Sequence, residues 1–315
     1  MSMSIAVLPS HTQFSGHETF PLRQLWLRKA YVAYSRAAGP QKNPVATRDI
    51  FAPETGIRDF GVGKNMVAAI RHWALACDVL QEDKGMLSTG VVGHALLSSR
   101  GLDPYFEKSA TPWLIHWLLA GRAERSTTWW WVFNRVSAQV FDTDSVADAL
   151  YAAVADHTRV SRVTLKRDVE VCMRCYLPRR DGREADDAAE PLLADLGLVS
   201  ELHAGSFQFR RGAQASLPDG IFAYALLDYW EAKGKVTGSQ QATLSFESIA
   251  HEYGAPGRVF KLDERSVGER LTNLEELTQG QLAWSDTAGV RQVSRKLRET
   301  PDKLRQIVLK QAYGK

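Results

Sequence analysis

The chain has 315 residues, 44% of them hydrophobic, with 39 Lys and Arg against 36 Asp and Glu for a net charge of +3. That is enough apolar material for one large core or two to three small ones. The longest apolar runs, such as residues 113–120, fall far short of the ~18 to 20 residues a bilayer span needs. The first eight residues lack the basic start of a secretory signal, and three cysteines make no disulfide framework. A cytoplasmic protein with no membrane attachment is expected.

The charge is unevenly spread. Residues 21–76 hold nine Lys or Arg against three acids, and 287–315 hold eight against two, whereas 142–205 carry thirteen acids against eight bases. Basic ends around an acidic middle suit a protein whose ends approach a polyanion; ordinary solvated surface charge is the competing explanation.

In chain order, residues 1–13 read as a loose arm. Pro21 then opens a helix over 22–36, with Leu22, Leu25, Trp26, Ala30 and Ala33 on its inner side and Arg23, Arg28 and Arg36 outside. After a Gly/Pro break, 45–51 predicts a short helix. Gly61-Val62-Gly63-Lys64-Asn65-Met66 starts a third, in which Val62, Met66, Val67, Ile70, Trp73, Ala74 and Cys77 recur at spacings of three and four. Lys64, Asn65, Arg71 and His72 fall off that stripe and are candidates for phosphate or base contact. Residues 79–82 and 86–89 alternate as strands around Asp83-Lys84-Gly85, a hairpin turn that adds Lys84 to the candidates. Three helices and a hairpin wing is the order of a winged-helix reader of nucleic acid.

Two aromatic helices follow, 112–120 and 127–140, carrying Trp113, Trp117, Trp129, Trp130 and Trp131. Stacking on bases is conceivable for such a cluster, but burial is the simpler reading of so much apolar surface. Helices over 142–154 and 162–176 lead to 178–190, which has almost no large apolar side chain and predicts a mobile loop and a domain boundary. Helices over 218–233, 245–253 and 263–277, a hairpin over 281–293 that includes Arg291, and a basic terminal helix over 301–310 then repeat the earlier order. The expected fold is mainly α with small β-hairpins: two winged-helix-like units, 1–110 and 191–315, joined by a helical, tryptophan-rich middle, 111–190.

Several apparent sites fail on spacing. Gly61 to Asn65 lacks the first glycine, the preceding strand and the magnesium-binding hydroxyl of a phosphate loop, so no nucleotide cofactor is expected. His17-Glu18 lacks the second histidine of a metalloprotease and is read as anchoring the arm, its role otherwise unknown. Cys172 and Cys175 have the gap of a zinc or redox pair but no second pair, and Asp168 with Glu170 resembles a surface pattern. No spacing marks a nuclease centre, in which carboxylates would hold a metal.

The runs at 14–23, 61–66, 103–105 with 113–120, and 127–129, together with Leu217-Pro218-Asp219-Gly220, resemble the bacterial domain-of-unknown-function family four thousand and seven, which is similar to the SspB component of DNA phosphorothioation defence systems. The resemblance implies a DNA-binding component that works beside a cysteine desulfurase, an ATP-dependent sulfur-activating enzyme and an ATPase. It also implies nicking of one DNA strand to allow sulfur insertion, with Mg or Mn as the metal if so, and it assigns no catalytic residue. The alternative is a non-catalytic DNA-binding scaffold or transcriptional regulator.

Overall fold

Helix α1 (Gln24–Ala38) buries Trp26, Leu27, Ala30, Tyr31 and Tyr34. Of the expected inner side Leu22, Trp26 and Ala30 are buried, Ala33 is half-buried and Leu25 stays exposed, so the buried stripe is rotated towards Leu27, Tyr31 and Tyr34. It belongs to a computed structural model that describes residues 12–156, 158–179, 190–238, 241–287, 289–296 and 299–315. The chain is mainly helical, 53% of it, with small antiparallel three-stranded sheets. Most of the loop expected over 178–190, and the arm up to residue 11, lie outside the described residues.

After α1 come β1 (Val45–Ala46), α2 (Thr47–Phe51), α3 (Pro53–Phe60), α4 (Lys64–Ala76) and the hairpin β2 (Leu80–Asp83) with β3 (Met86–Thr89). Strand β1 pairs with β3, so the sheet order is β1-β3-β2. Helices α5 (Val91–Leu97), α6 (Ala110–Arg122) and α7 (Thr127–Arg135) follow. The same arrangement then recurs: β4 (Val140–Asp142), α8 (Thr143–Val154), α9 (Arg162–Tyr176), and the hairpin β5 (Val199–His203) with β6 (Ser206–Phe209), in the order β4-β6-β5. After α10 (Asp219–Thr237) it recurs once more, as β7 (Thr243–Ser245), α11 (Phe246–His251), α12 (Pro256–Val259), α13 (Glu264–Thr272), α14 (Leu274–Leu277), β8 (Leu282–Thr287) and β9 (Val290–Arg295), ordered β7-β9-β8. Helix α15 (Pro301–Ala312) closes the chain against α10.

Local chemistry sets many of these boundaries. Asp142, Ser161, Ser245, Asp263 and Thr300 each accept the backbone N–H three residues on and so cap α8, α9, α11, α13 and α15. The strand–helices–hairpin arrangement occurs three times among the described residues, where two were expected. Strand β4, from the expected middle region, pairs with β6, beyond the expected boundary at 190. One hydrophobic core runs through all three arrangements, and no described helix is long and apolar enough to cross a membrane.

Candidate nucleic-acid interface

Gly61 ends α3 in the left-handed region (φ 65°) and Gly63 starts α4 from extended backbone with no side-chain cap. The first N–H groups of α4 are therefore left without a side-chain partner, as anion-binding helix starts require. Lys64, Asn65 and Ala68 are exposed and Arg71 is half-buried, while Val67, Ala69, Ile70 and the run 72–76 are packed inside. Only the first turn and one flank of α4 reach the surface, less than its amphipathic spacing suggested. Among the described residues neither Lys64 nor Lys84 pairs with a carboxylate.

The hairpin turn is held next to this helix. Lys84 (φ 47°) and Gly85 (φ 77°) both adopt the left-handed conformation of a tight two-residue turn. The Gly85 carbonyl accepts the Thr47 backbone N–H (2.9 Å), which fixes the turn against the start of α2. Arg71 donates to Glu82 at 2.6 Å, stapling α4 to β2. Glu82 is partly buried, which alone would raise its pKa; hydrogen bonds from Thr47 and Arg71 hold it below the usual carboxylate range. A cleft of ≈ 630 Å³ lies between α2 and the hairpin, lined by Thr47, Arg48, Arg71, Glu82 and Met86 among others. Arg48, exposed there, carries no local signal in the sequence, because it is the pairing of β1 with β3 and the bonds of Thr47 to Glu82 and Gly85 that bring it to the hairpin.

Other sequence candidates are placed elsewhere. Arg28 stacks on Tyr105 (4.6 Å) beside a basic groove of ≈ 700 Å³ that Arg36 and Lys42 also line. Arg23, expected outside, is 7% exposed and lies over Trp26. His72 is also 7% exposed, and burial, followed by His17 and Arg125, pushes its pKa down to about 3. As folded, neither Arg23 nor His72 presents its side chain to a ligand, because Trp packing claims both positions. Arg291 sits in the third hairpin, 3.6 Å from the Phe246 ring centroid and paired with Asp286.

His17 is buried, whereas Glu18 is exposed. His17 Nδ1 accepts the Thr19 N–H, which leaves Nε2 to donate to Asp168 Oδ1 at 2.8 Å. Asp168 Oδ1 also accepts the Ser15 N–H and Oδ2 accepts the Thr128 hydroxyl, each at 2.9 Å. Trp73 Nε1 donates to the Phe20 carbonyl, and the Leu22 N–H donates to Cys175 Sγ. The 14–23 segment is thereby pinned onto α4, α7 and α9, and Asp168 belongs to this interior network, not to a surface pattern. Cys77, Cys172 and Cys175 are buried free thiols, and burial raises the pKa of each, that of Cys175 to about 12. The five tryptophans of α6 and α7 are at most 7% exposed, so none offers an indole face to a base. Among the described residues no three of His, Cys, Asp and Glu are grouped to hold a metal ion.

The fold and this surface define a mainly helical protein with repeated strand–helices–hairpin units, the first of which presents a basic helix start beside a hairpin turn. The chain belongs to the DUF4007 family of proteins of unknown function, whose model matches residues 14–313. It is similar to a magnesium ion-bound SspB crystal structure, with a TM-score of 0.80 and 26% identity over 96% of this chain and 88% of that one. A second SspB crystal structure matches with a TM-score of 0.79 and 27% identity over the same shares. No curated protein matches.

Proposed function

We propose that this protein is a DNA-binding component of a bacterial DNA phosphorothioation system. The observation that carries the reading is the end-to-end structural match to SspB, and the resemblance in the sequence supplies the pathway. We read the first strand–helices–hairpin arrangement as a winged helix, with α4 as the recognition helix and β2–β3 as the wing. Its first strand pairs with the last strand of the hairpin, the order such domains use, and the second and third arrangements repeat it. Lys64, Asn65 and Lys84 would contact the phosphate backbone, with Arg48 and Arg28 flanking; phosphate contacts give grip and register more than sequence choice. The partners that follow from this reading are DNA, a cysteine desulfurase, an ATP-dependent sulfur-activating enzyme and an ATPase.

Strand nicking belongs to the same proposal, but the residues described do not fit a metal centre. Magnesium is usually held through one or two carboxylates that keep free oxygens for it and its waters. Near the interface Glu82 is committed to Thr47 and Arg71, and Asp59 to Arg58, and the exposed Glu54 and Asp83 belong to no group of three His, Cys, Asp or Glu among the described residues. We derive no metal-dependent step.

The test is a salt series of duplex binding with the wild type and with Lys64→Glu/Lys84→Glu. The wild type should lose affinity steeply with salt, and the variant should bind about 10-fold or more weakly with an unchanged fold. Salt-independent binding, or equal affinity of the two proteins, refutes the interface. Supercoiled plasmid incubated with Mg or Mn tests nicking separately: relaxed circles support it, and plasmid that stays supercoiled removes it.

A further inference from the structure

A second group of cations gathers at the C-terminal end of α7. Arg135 is the last residue of that helix, and Arg258 and Lys261 lie on and just after α12. Arg211 is placed beside them by the Gly212 N–H, which donates to the Lys261 carbonyl at 3.0 Å. Arg135 and Arg258 both lie over the ring of Tyr253, 3.7 and 4.6 Å from its centroid. Tyr253 is itself 48% exposed, so the group opens to solvent.

Among the described residues none of these four cations pairs with a carboxylate. The acidic side chains close by in the chain are engaged elsewhere: Glu252 with Lys233, Ser248 and Tyr229, Glu264 with His251, and Asp263 with the start of α13. A purely structural role is available, since the end of α7 offers its last carbonyls. Lys261 Nζ donates to Phe133 O and Arg258 Nε to Asn134 O, both at 2.6 Å. A helix C-terminus carries only about half a negative charge, however. It satisfies Lys261 and the Nε of Arg258, whose Nη1 donates to the His251 carbonyl at 3.1 Å, and leaves Arg135 and Arg211 unbalanced. Arg135 Nε is buried without a hydrogen-bond partner. Burial, with Arg211 and Arg258 adding to it, pushes Lys261 well below the usual lysine range, as a surplus of positive charge requires.

We propose that Arg135, Arg211 and Arg258, grouped around Tyr253, bind a phosphate group of a nucleic-acid backbone. Guanidinium groups suit this ligand because their planar donors match two phosphate oxygens at once. The site lies about 9 Å along α7 from Trp129, which packs on Trp73 of α4, at the standard helical rise. It shares no residue with the cleft beside the α4–hairpin surface and would hold a second stretch of the same polyanion. The source of the ligand rests on the DNA-binding reading; the anion chemistry does not.

The experiment uses the full chain as wild type, Arg211→Gln and Arg135→Gln/Arg211→Gln. Thermal midpoints are compared in inorganic phosphate and in chloride at equal ionic strength, and a labelled duplex is titrated between about 50 and 200 mM salt. The wild type should be stabilised by phosphate beyond chloride, and the double variant should lose that gain. The slope of log affinity against log salt should fall by about 0.9 for Arg211→Gln and about 1.8 for the double variant. Arg211 is exposed, so its single variant reports even if the double variant folds poorly. Unchanged slopes with intact DNA binding and no stabilisation by phosphate beyond chloride overturn this site and leave the proposed function standing. Phosphate stabilisation without a slope change overturns the backbone assignment in favour of free phosphate. A wild type that binds no DNA removes both the function and the backbone source, whatever phosphate does.

Discussion

Asp168 gives the sharpest test of how the 14–23 segment is held. Its carboxylate is buried and accepts from His17 Nε2, Ser15 N–H and Thr128 Oγ1. In Asp168→Ala all three donors lose their acceptor inside the protein. Each orphaned buried donor costs about 1–3 kcal/mol, and removing one member of a buried pair typically costs about 3–5 kcal/mol in total. Domains of roughly 150–250 residues lose about 2–4 °C per kcal/mol, so the thermal midpoint should fall by about 6 °C or more. Asp168→Asn should behave differently. Its carbonyl can keep the two bonds now made to Oδ1, and its amide can donate to the Thr128 hydroxyl, which is able to accept. The amide should cost only about 1 kcal/mol, the size of one ordinary hydrogen bond. Thermal or urea unfolding followed by circular dichroism reads both variants. Equal losses for Ala and Asn, or a change within about 1 °C for Ala, would show that this network does not hold the segment.

His72 and His116 should together make the protein acid-sensitive. Burial lowers both to about 3; for His116 the hydrogen bond to Val259 O opposes burial and Lys261 adds to it. The unfolded chain takes up these protons near pH 6.5 and the folded chain does not until about pH 3. Stability is therefore complete above about pH 6.5 and falls as pH drops towards 3, by about 1.4 kcal/mol per pH unit for each histidine. Thermal midpoints between about pH 7 and pH 5 check this: His72→Phe should roughly halve the slope, and a flat wild-type profile contradicts the reasoning. Gly56→Ala should separate α3 from α4, because the added Cβ would stand 2.4 Å from Val67 Cγ1. The expected loss is about 1–3 kcal/mol, with recovery in Gly56→Ala/Val67→Ala; a fully stable single variant refutes the close packing.

The helices and two of the hairpins were legible because their signals are local. Apolar residues three and four apart mark α1, α4 and α10, and a residue pair able to take positive φ marks the turn at Lys84-Gly85. The hairpin β5–β6 was passed over although Phe207 and Phe209 alternate around a Gly205 turn. Strands β1, β4 and β7 have two or three residues each, too few for any period to show. They become strands only when a hairpin dozens of residues later supplies their hydrogen-bond partners. Short range also misled: an arginine off the stripe was read as exposed at Arg23, and a polar residue on the open side of a helix at His72, until Trp26 and Trp73 took up the space around them.

By itself the sequence determined most of the helices, two of the hairpins and the family, since periodicity, caps and motif residues all act within a few positions of one another. The tertiary structure decided which charges are free and which are committed. His17 and Asp168 are 151 residues apart, and Arg135, Arg211 and Arg258 come from three separate segments. Such groups meet only when the core packs, because hydrogen bonds and charge pairing act over a few ångströms while the chain between them is free to run anywhere.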